Sequence, residues 1–156
     1  MKDLFNLLKQ MQHKALMKSI TETFTLEEAV ESLAWVKSHL EQAHQELEEL
    51  HDNLMLTKRL YSLQYAERLP QEEDFEKLVA LKVKALETAL EKWTKRFAER
   101  GFYLRDFEDG IVEFRYKTAN DDSLFLCWQD GEDGILYFRE PDEPYVFRKP
   151  ITFLPD

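Results

Sequence analysis

Leu26, Ala29, Leu33, Val36, Leu40, Ala43, Leu47, Leu50, Leu54, Thr57 and Tyr61 recur in alternating steps of three and four. This spacing stacks them on one side of a helix and predicts a heptad seam sustained over five repeats. The helix would run from about residue 26 to 67, roughly 60 Å at 1.5 Å per residue. A compact domain of this length has a radius of gyration of only about 15 Å, so such a helix must project, bend or find a partner. Thr25 followed by Glu28 supplies a capping box at its start, with Phe24 placed to staple it. Leu69–Pro70 disfavours helix, and Glu72, Glu73 and Asp74 suit the positive end of a new one. Phe75, Val79, Val83, Leu86, Leu90, Trp93 and Phe97 carry the second seam, which Gly101 stops. The reading is an antiparallel, coiled-coil-like helical hairpin with arms of about 40 and about 30 residues. Its longer arm leaves seam to be covered by another helix or another subunit.

Ahead of the hairpin, Leu4, Phe5, Leu7, Leu8, Met11, Ala15 and Leu16 predict a short amphipathic helix over 3–18. After Gly101 the period falls to two. "FYLRDF", "GIVEFRYK", "SLFLCWQ" and "GILYFRE" are rich in aromatic and β-branched residues and are parted by "EDG", "NDDS" and "DGEDG". They predict a four-stranded antiparallel meander, with "PYVFRKPITFLP" as an extended tail. The fold class is therefore α+β in a single module: residues 1–20 an N-terminal helix, 21–100 the hairpin, 101–156 the meander and tail.

Composition narrows the function classes. The chain has 156 residues, one cysteine and a net charge of −10. One cysteine excludes an internal disulfide framework and, with no apolar run near the roughly 20 residues of a membrane span, leads us to expect a cytoplasmic protein. Net acidity argues against nucleic acid as a partner, because phosphate rewards clustered Lys and Arg. Residues 1–20 run the other way, with Lys2, Lys9, Lys14 and Lys18 against Asp3. That start could meet an anionic membrane surface, or simply cover the open seam as a core helix.

Candidate chemistry is sparse. Cys127 has Asp121, Asp122, Asp130, Glu132 and Asp133 as sequence neighbours, which oppose a thiolate. All four histidines lie at or before residue 51, so Cys127 reads as a small apolar filler and no catalytic residue is assigned. His44 and His51 are seven apart, too far for a helical metal pair, and the acids from Asp130 onward break the alternation a calcium loop requires. Neither a metal nor a cofactor is expected. Glu113, Arg139, Glu140 and Arg148, beside Trp128, could surround a polar ligand or supply an acid–base pair, or could be cross-strand salt bridges on a wet face.

The order of these features resembles a bacterial family known as domain of unknown function 2203, over about residues 23–152. Phe24, Thr25, Leu26, Glu27, Glu28 and Ala29 match its opening pattern, and Asp106, Gly110, Cys127, Trp128, Gly131, Glu132, Glu140, Arg148 and Pro150 match further on. Glu113 stands at the family's Asp, Arg115 at its Pro, and Phe138–Arg139 at its Trp-His, while Pro144 and Phe147 replace two glycines. The resemblance implies the architecture and brings no activity with it. From the residues themselves we expect an interaction protein that self-associates or binds a partner helix through Leu33, Val36, Leu40, Leu47, Leu50 and Leu54. A small-molecule site on the meander and membrane attachment through residues 1–20 are the alternatives.

Overall fold

A computed structural model describes residues 20–65 and 72–156. The expected N-terminal helix and the turn around Pro70 lie outside the described residues. Two helices, α1 (Leu26–Tyr65) and α2 (Glu72–Glu99), precede five strands: β1 (Phe102–Asp106), β2 (Ile111–Lys117), β3 (Ser123–Gln129), β4 (Tyr137–Arg139) and β5 (Lys149–Pro150). The helices and the antiparallel sheet make the α+β architecture read from the periodicity. The described residues divide into two compact units. One holds residues 20–40 with Thr94–Asp156, and the other is Glu41–Trp93.

In the first unit, the capping box starts α1 as expected. The Glu28 amide donates to Thr25 Oγ1 at 3.1 Å and the Thr25 amide to Glu28 Oε1 at 3.2 Å. Phe24, the expected staple residue, turns toward the sheet. Its ring packs on Phe102 and Phe114, with centroids 5.5 and 5.7 Å away, which brings the helix start onto the sheet. Gly101 ends α2 at φ +83°, and a Cβ there would meet the Glu22 carboxylate at 1.9 Å. Both the left-handed backbone and the close approach require glycine.

The sheet runs in chain order, β1-β2-β3-β4-β5, every neighbouring pair antiparallel. The tail is more than an extended strap. Lys149–Pro150 pairs with β4 as a fifth strand, flanked by 3-10 turns at Tyr145–Phe147 and Ile151–Phe153. Alternation sorts the side chains by face. Phe102, Leu104, Val112, Phe114, Leu124, Leu126, Trp128 and Phe138 are buried on one face. Trp35 of α1 meets Phe97 and Phe102 there, at 5.1 and 5.5 Å. The other face carries Tyr103, Glu113, Phe125, Cys127, Tyr137 and Arg139.

In the second unit, Ala43, Leu47, Leu54 and Thr57 are buried, with Leu86, Ala89, Leu90 and Trp93 from α2. Leu50 is half-buried. Polar ties flank this interior. Lys92 Nζ donates to both oxygens of Glu46 at 2.6 and 2.7 Å, and Trp93 Nε1 to Glu46 Oε2 at 2.7 Å. Lys82 bonds Asn53, and Tyr61 stacks on Phe75 with ring centroids 3.5 Å apart.

Candidate functional site

Strand register explains how the polar residues of the meander meet. Glu113 of β2 lies opposite Tyr103 of β1 and Cys127 of β3, and Arg139 of β4 lies opposite Phe125, one column further. The long guanidinium reaches diagonally across. Arg139 Nε donates to Glu113 Oε2 at 2.5 Å and Nη2 to Oε1 at 2.9 Å, a bidentate pair with both side chains buried. Arg139 Nη1 donates to the carbonyls of Glu140, Pro141 and Glu143, at 3.2 to 3.4 Å. Its plane also lies 4.8 Å from the Phe125 ring centre. Arg105 Nη1 and the Cys127 thiol, each 3.3 Å away, complete the donors to Glu113.

This cluster holds its protons tightly. Burial works against the Arg139 charge, yet the hydrogen bonds and negative charge of Glu113 outweigh it and the pKa is raised. Burial first, then the neighbouring Glu113 carboxylate, pushes the Cys127 thiol well above its ordinary value. The same order of causes lifts the Tyr103 phenol to about 12. A thiol so placed is a weak donor to a carboxylate, and no nucleophile. The cavity bounded by Ile20, Gly101, Tyr103, Glu113, Arg115 and Phe125 has a volume of about 10 Å³, room for at most one water.

Next to it is a second, more exposed cluster. Arg148 pairs with both oxygens of Glu132 at 3.2 Å and lies over the rings of Tyr137 and Tyr145, at 4.2 and 4.8 Å. Arg105 approaches the Tyr145 ring at 5.6 Å, and the Tyr145 hydroxyl bonds Gln129 Oε1 at 3.1 Å. Burial raises the Tyr145 phenol to about 12, although Arg148 lowers it in part.

Of the residues singled out from the sequence, the structure joins Glu113 to Arg139 and places Arg148 among the neighbouring tyrosines. It does not bring Trp128 or Glu140 to them. Trp128 is on the opposite face of the sheet, where its Nε1 donates to the Glu132 carbonyl at 3.2 Å and Lys37 lies 6.0 Å from its ring. Glu140 is exposed and pairs with Lys149 at 3.4 Å. Tyr103 and Tyr145 have no signal in the sequence that marks them for this cluster, and Glu132 stands out there only as an acid near Cys127. Tyr145 sits in the tail, which has no periodicity to betray a side chain folding back.

Leu33, Val36, Leu40, Leu47 and Leu54, expected to carry association, are buried inside the chain itself. Other apolar residues of the helices are exposed. Leu56, Leu60, Leu63, Leu78 and Leu81, all in the second unit, are between 44% and 68% exposed. Leu56, Leu60 and Leu63 continue the steps of three and four that contain Glu46, Glu49 and Asn53. Glu46 and Asn53 bond Lys92 and Lys82 of α2.

Two helices followed by a five-stranded antiparallel sheet, with a buried ion pair joining β2 to β4 and exposed leucines on the helices, define an α+β protein. The chain belongs to the uncharacterized conserved protein family DUF2203, whose pattern it matches over residues 22–151. No curated protein and no solved structure matches it. Among the described residues no cluster of His, Cys, Asp or Glu is arranged to hold a metal ion, and no helix is long and apolar enough to cross a membrane.

Proposed function

We propose that this protein is an interaction module that self-associates through the helical unit Glu41–Trp93. The observation that carries this reading is the exposure of Leu56, Leu60, Leu63, Leu78 and Leu81 on the two helices of that unit. Single surface leucines are ordinary, but five within one small helical unit are more apolar surface than a monomer commonly leaves open. Each leucine fully removed from water contributes roughly 1.5–3 kcal/mol, and a side already half-covered gains correspondingly less. The heptad residues first suspected of this role are buried or half-buried within the chain, and Leu56 and Leu60 each directly precede a seam position, Thr57 and Tyr61.

Sedimentation equilibrium of the full chain tests the reading. We expect a dimer at micromolar concentration, and a monomer when Leu56, Leu60 and Leu63 are all replaced by Gln. These side chains are exposed, so the variant keeps its helical circular dichroism. A wild-type chain that stays monomeric well above micromolar concentration overturns the proposal.

A further inference from the structure

Three of the chain's four glycines follow an aspartate: Asp109–Gly110, Asp130–Gly131 and Asp133–Gly134. An Asp-Gly link is chemically labile because glycine has no side chain to shield its amide nitrogen from the carboxyl group before it. Rotation about the aspartate backbone has to bring the two groups together, so the bonds that hold each dipeptide decide which one reacts. The fold restrains the first two. Gly110 is buried at φ +65°, and a Cβ there would meet Asp130 at 2.7 Å and Leu40 at 3.0 Å. Its carbonyl accepts from the Asp130 amide at 2.9 Å, and the Asp109 amide donates to Asp106 Oδ1 at 2.9 Å. Asp130 and Gly131 are the central residues of a closed turn. There the Glu132 amide donates to the Gln129 carbonyl at 3.0 Å and the Gln129 amide to Glu132 Oε1 at 2.7 Å. Asp133–Gly134 has no such restraint. Among the described residues neither of the two makes a hydrogen bond, Asp133 is exposed, and nothing lies within 4 Å of where a Gly134 Cβ would stand.

We propose that Asp133 is a site of spontaneous backbone modification, the first of the three aspartates to pass through a succinimide to isoaspartate. The Gly134 amide nitrogen gives up its proton and attacks Cγ of the protonated Asp133 carboxyl. The new C–N bond closes a five-membered imide, and one water leaves. Water then adds back to the ring. Attack at Cγ restores aspartate. Attack at the former main-chain carbonyl breaks its bond to the Gly134 nitrogen, so the chain now runs through Cβ and Cγ and the α-carboxyl is set free. The two steps release and consume one water, with no oxidant, reductant or cofactor. The product has one more backbone carbon beside Glu132, whose carboxylate accepts from Arg148 and from the Gln129 amide. The modification therefore falls next to the residue that ties the tail to the turn between β3 and β4. An enzyme that methylates the freed α-carboxyl of isoaspartate is the class of partner that fits the product.

Ageing the full folded chain in mildly acidic to neutral buffer tests the assignment. The digest uses an endoproteinase that cleaves before aspartate and not before isoaspartate. Cleavage at residue 133 is expected to be lost at unchanged mass, with a matching gain of labelled methyl groups from an isoaspartyl methyltransferase. Loss at Asp109 and Asp130 is expected to be about tenfold slower, the factor set by opening one or two hydrogen bonds before reaction. In urea the three rates are expected to converge, because the restraints that separate them are gone. Gly134→Ala supplies the second arm. The Gly134 backbone lies outside the left-handed region and its surroundings are open, so alanine is accommodated and the circular dichroism is retained. Its methyl group shields the amide nitrogen, and isoaspartate at 133 is expected to disappear from the aged variant. Isoaspartate arising first at Asp109 or Asp130, or at equal rates at all three in the folded chain, overturns the proposal. So does its absence at Asp133 over the time in which the unfolded chain reacts, or a Gly134→Ala variant that accumulates it as fast as the wild type.

Discussion

Glu113 shows how one side chain sets the chemistry of its surroundings. Its carboxylate accepts from Arg139 twice, from Arg105 and from Cys127, so removing its charge strands a buried guanidinium. Breaking a buried pair from one end costs about 3–5 kcal/mol, and that loss is expected for Glu113→Gln in chemical denaturation. Replacing both partners, by Glu113→Leu with Arg139→Met, is expected to recover only part of the loss, because three loop carbonyls also lose the donor they share. A loss below about 1 kcal/mol for Glu113→Gln would show that the pair contributes little. In the sequence, Glu113 and Arg139 could be read only as candidates for a site, since cross-strand register is invisible there. The structure makes sense of their company. Glu113 and Arg139, which share no local pattern, are bonded to each other across the sheet.

At the scale of elements, the regular features were the legible ones. The capping box of Thr25 and Glu28, the two helical seams and the period-two strands all follow from local rules, and each is found where those rules put it. Thr25→Ala removes one half of the box and is expected to cost about 1 kcal/mol, read as a shift in the denaturation midpoint without change of slope. An unchanged midpoint would mean that sheet packing alone holds the helix start. Two features are not legible locally because long-range contacts decide them. The tail contains three prolines and no alternation, yet its backbone completes the sheet. The seam invited a reading as an interface because its residues are apolar, but apolarity cannot tell a partner in the same chain from one in another. The neighbouring stripe of Leu56, Leu60 and Leu63 was present in the same letters and becomes meaningful only once the seam is seen to be filled.

For the whole molecule, burial of weak acids shapes the response to pH. Tyr103 and Tyr145 each have a phenol raised to about 12 from 10.0, and the Cys127 thiol moves in the same direction. A raised acid keeps its proton in the folded chain after the unfolded chain has lost it. For the two phenols the linked stability is fully present below about pH 10 and is lost as pH rises toward about 12. Spectrophotometric titration is expected to show two of the six tyrosines ionising late, together with a falling midpoint of unfolding across that interval. Tyr103→Phe should remove one late phenol and flatten that fall. Uniform ionisation of all tyrosines near pH 10 would contradict the burial described for this face.

The single guanidinium of Arg139 fastens a carboxylate on β2 and three carbonyls within residues 140–143. This makes the length of that loop a counted quantity, because an added residue would carry at least one carbonyl out of reach of a planar group with fixed donor directions. The turn between β2 and β3 has no such fastening to a distant strand; its bonds run among Thr118, Asp121, Asp122 and the chain's last residue. Peptide tags or reporter domains spliced into this protein therefore belong after Asn120, and a splice after Pro141 would undo the sheet from its centre.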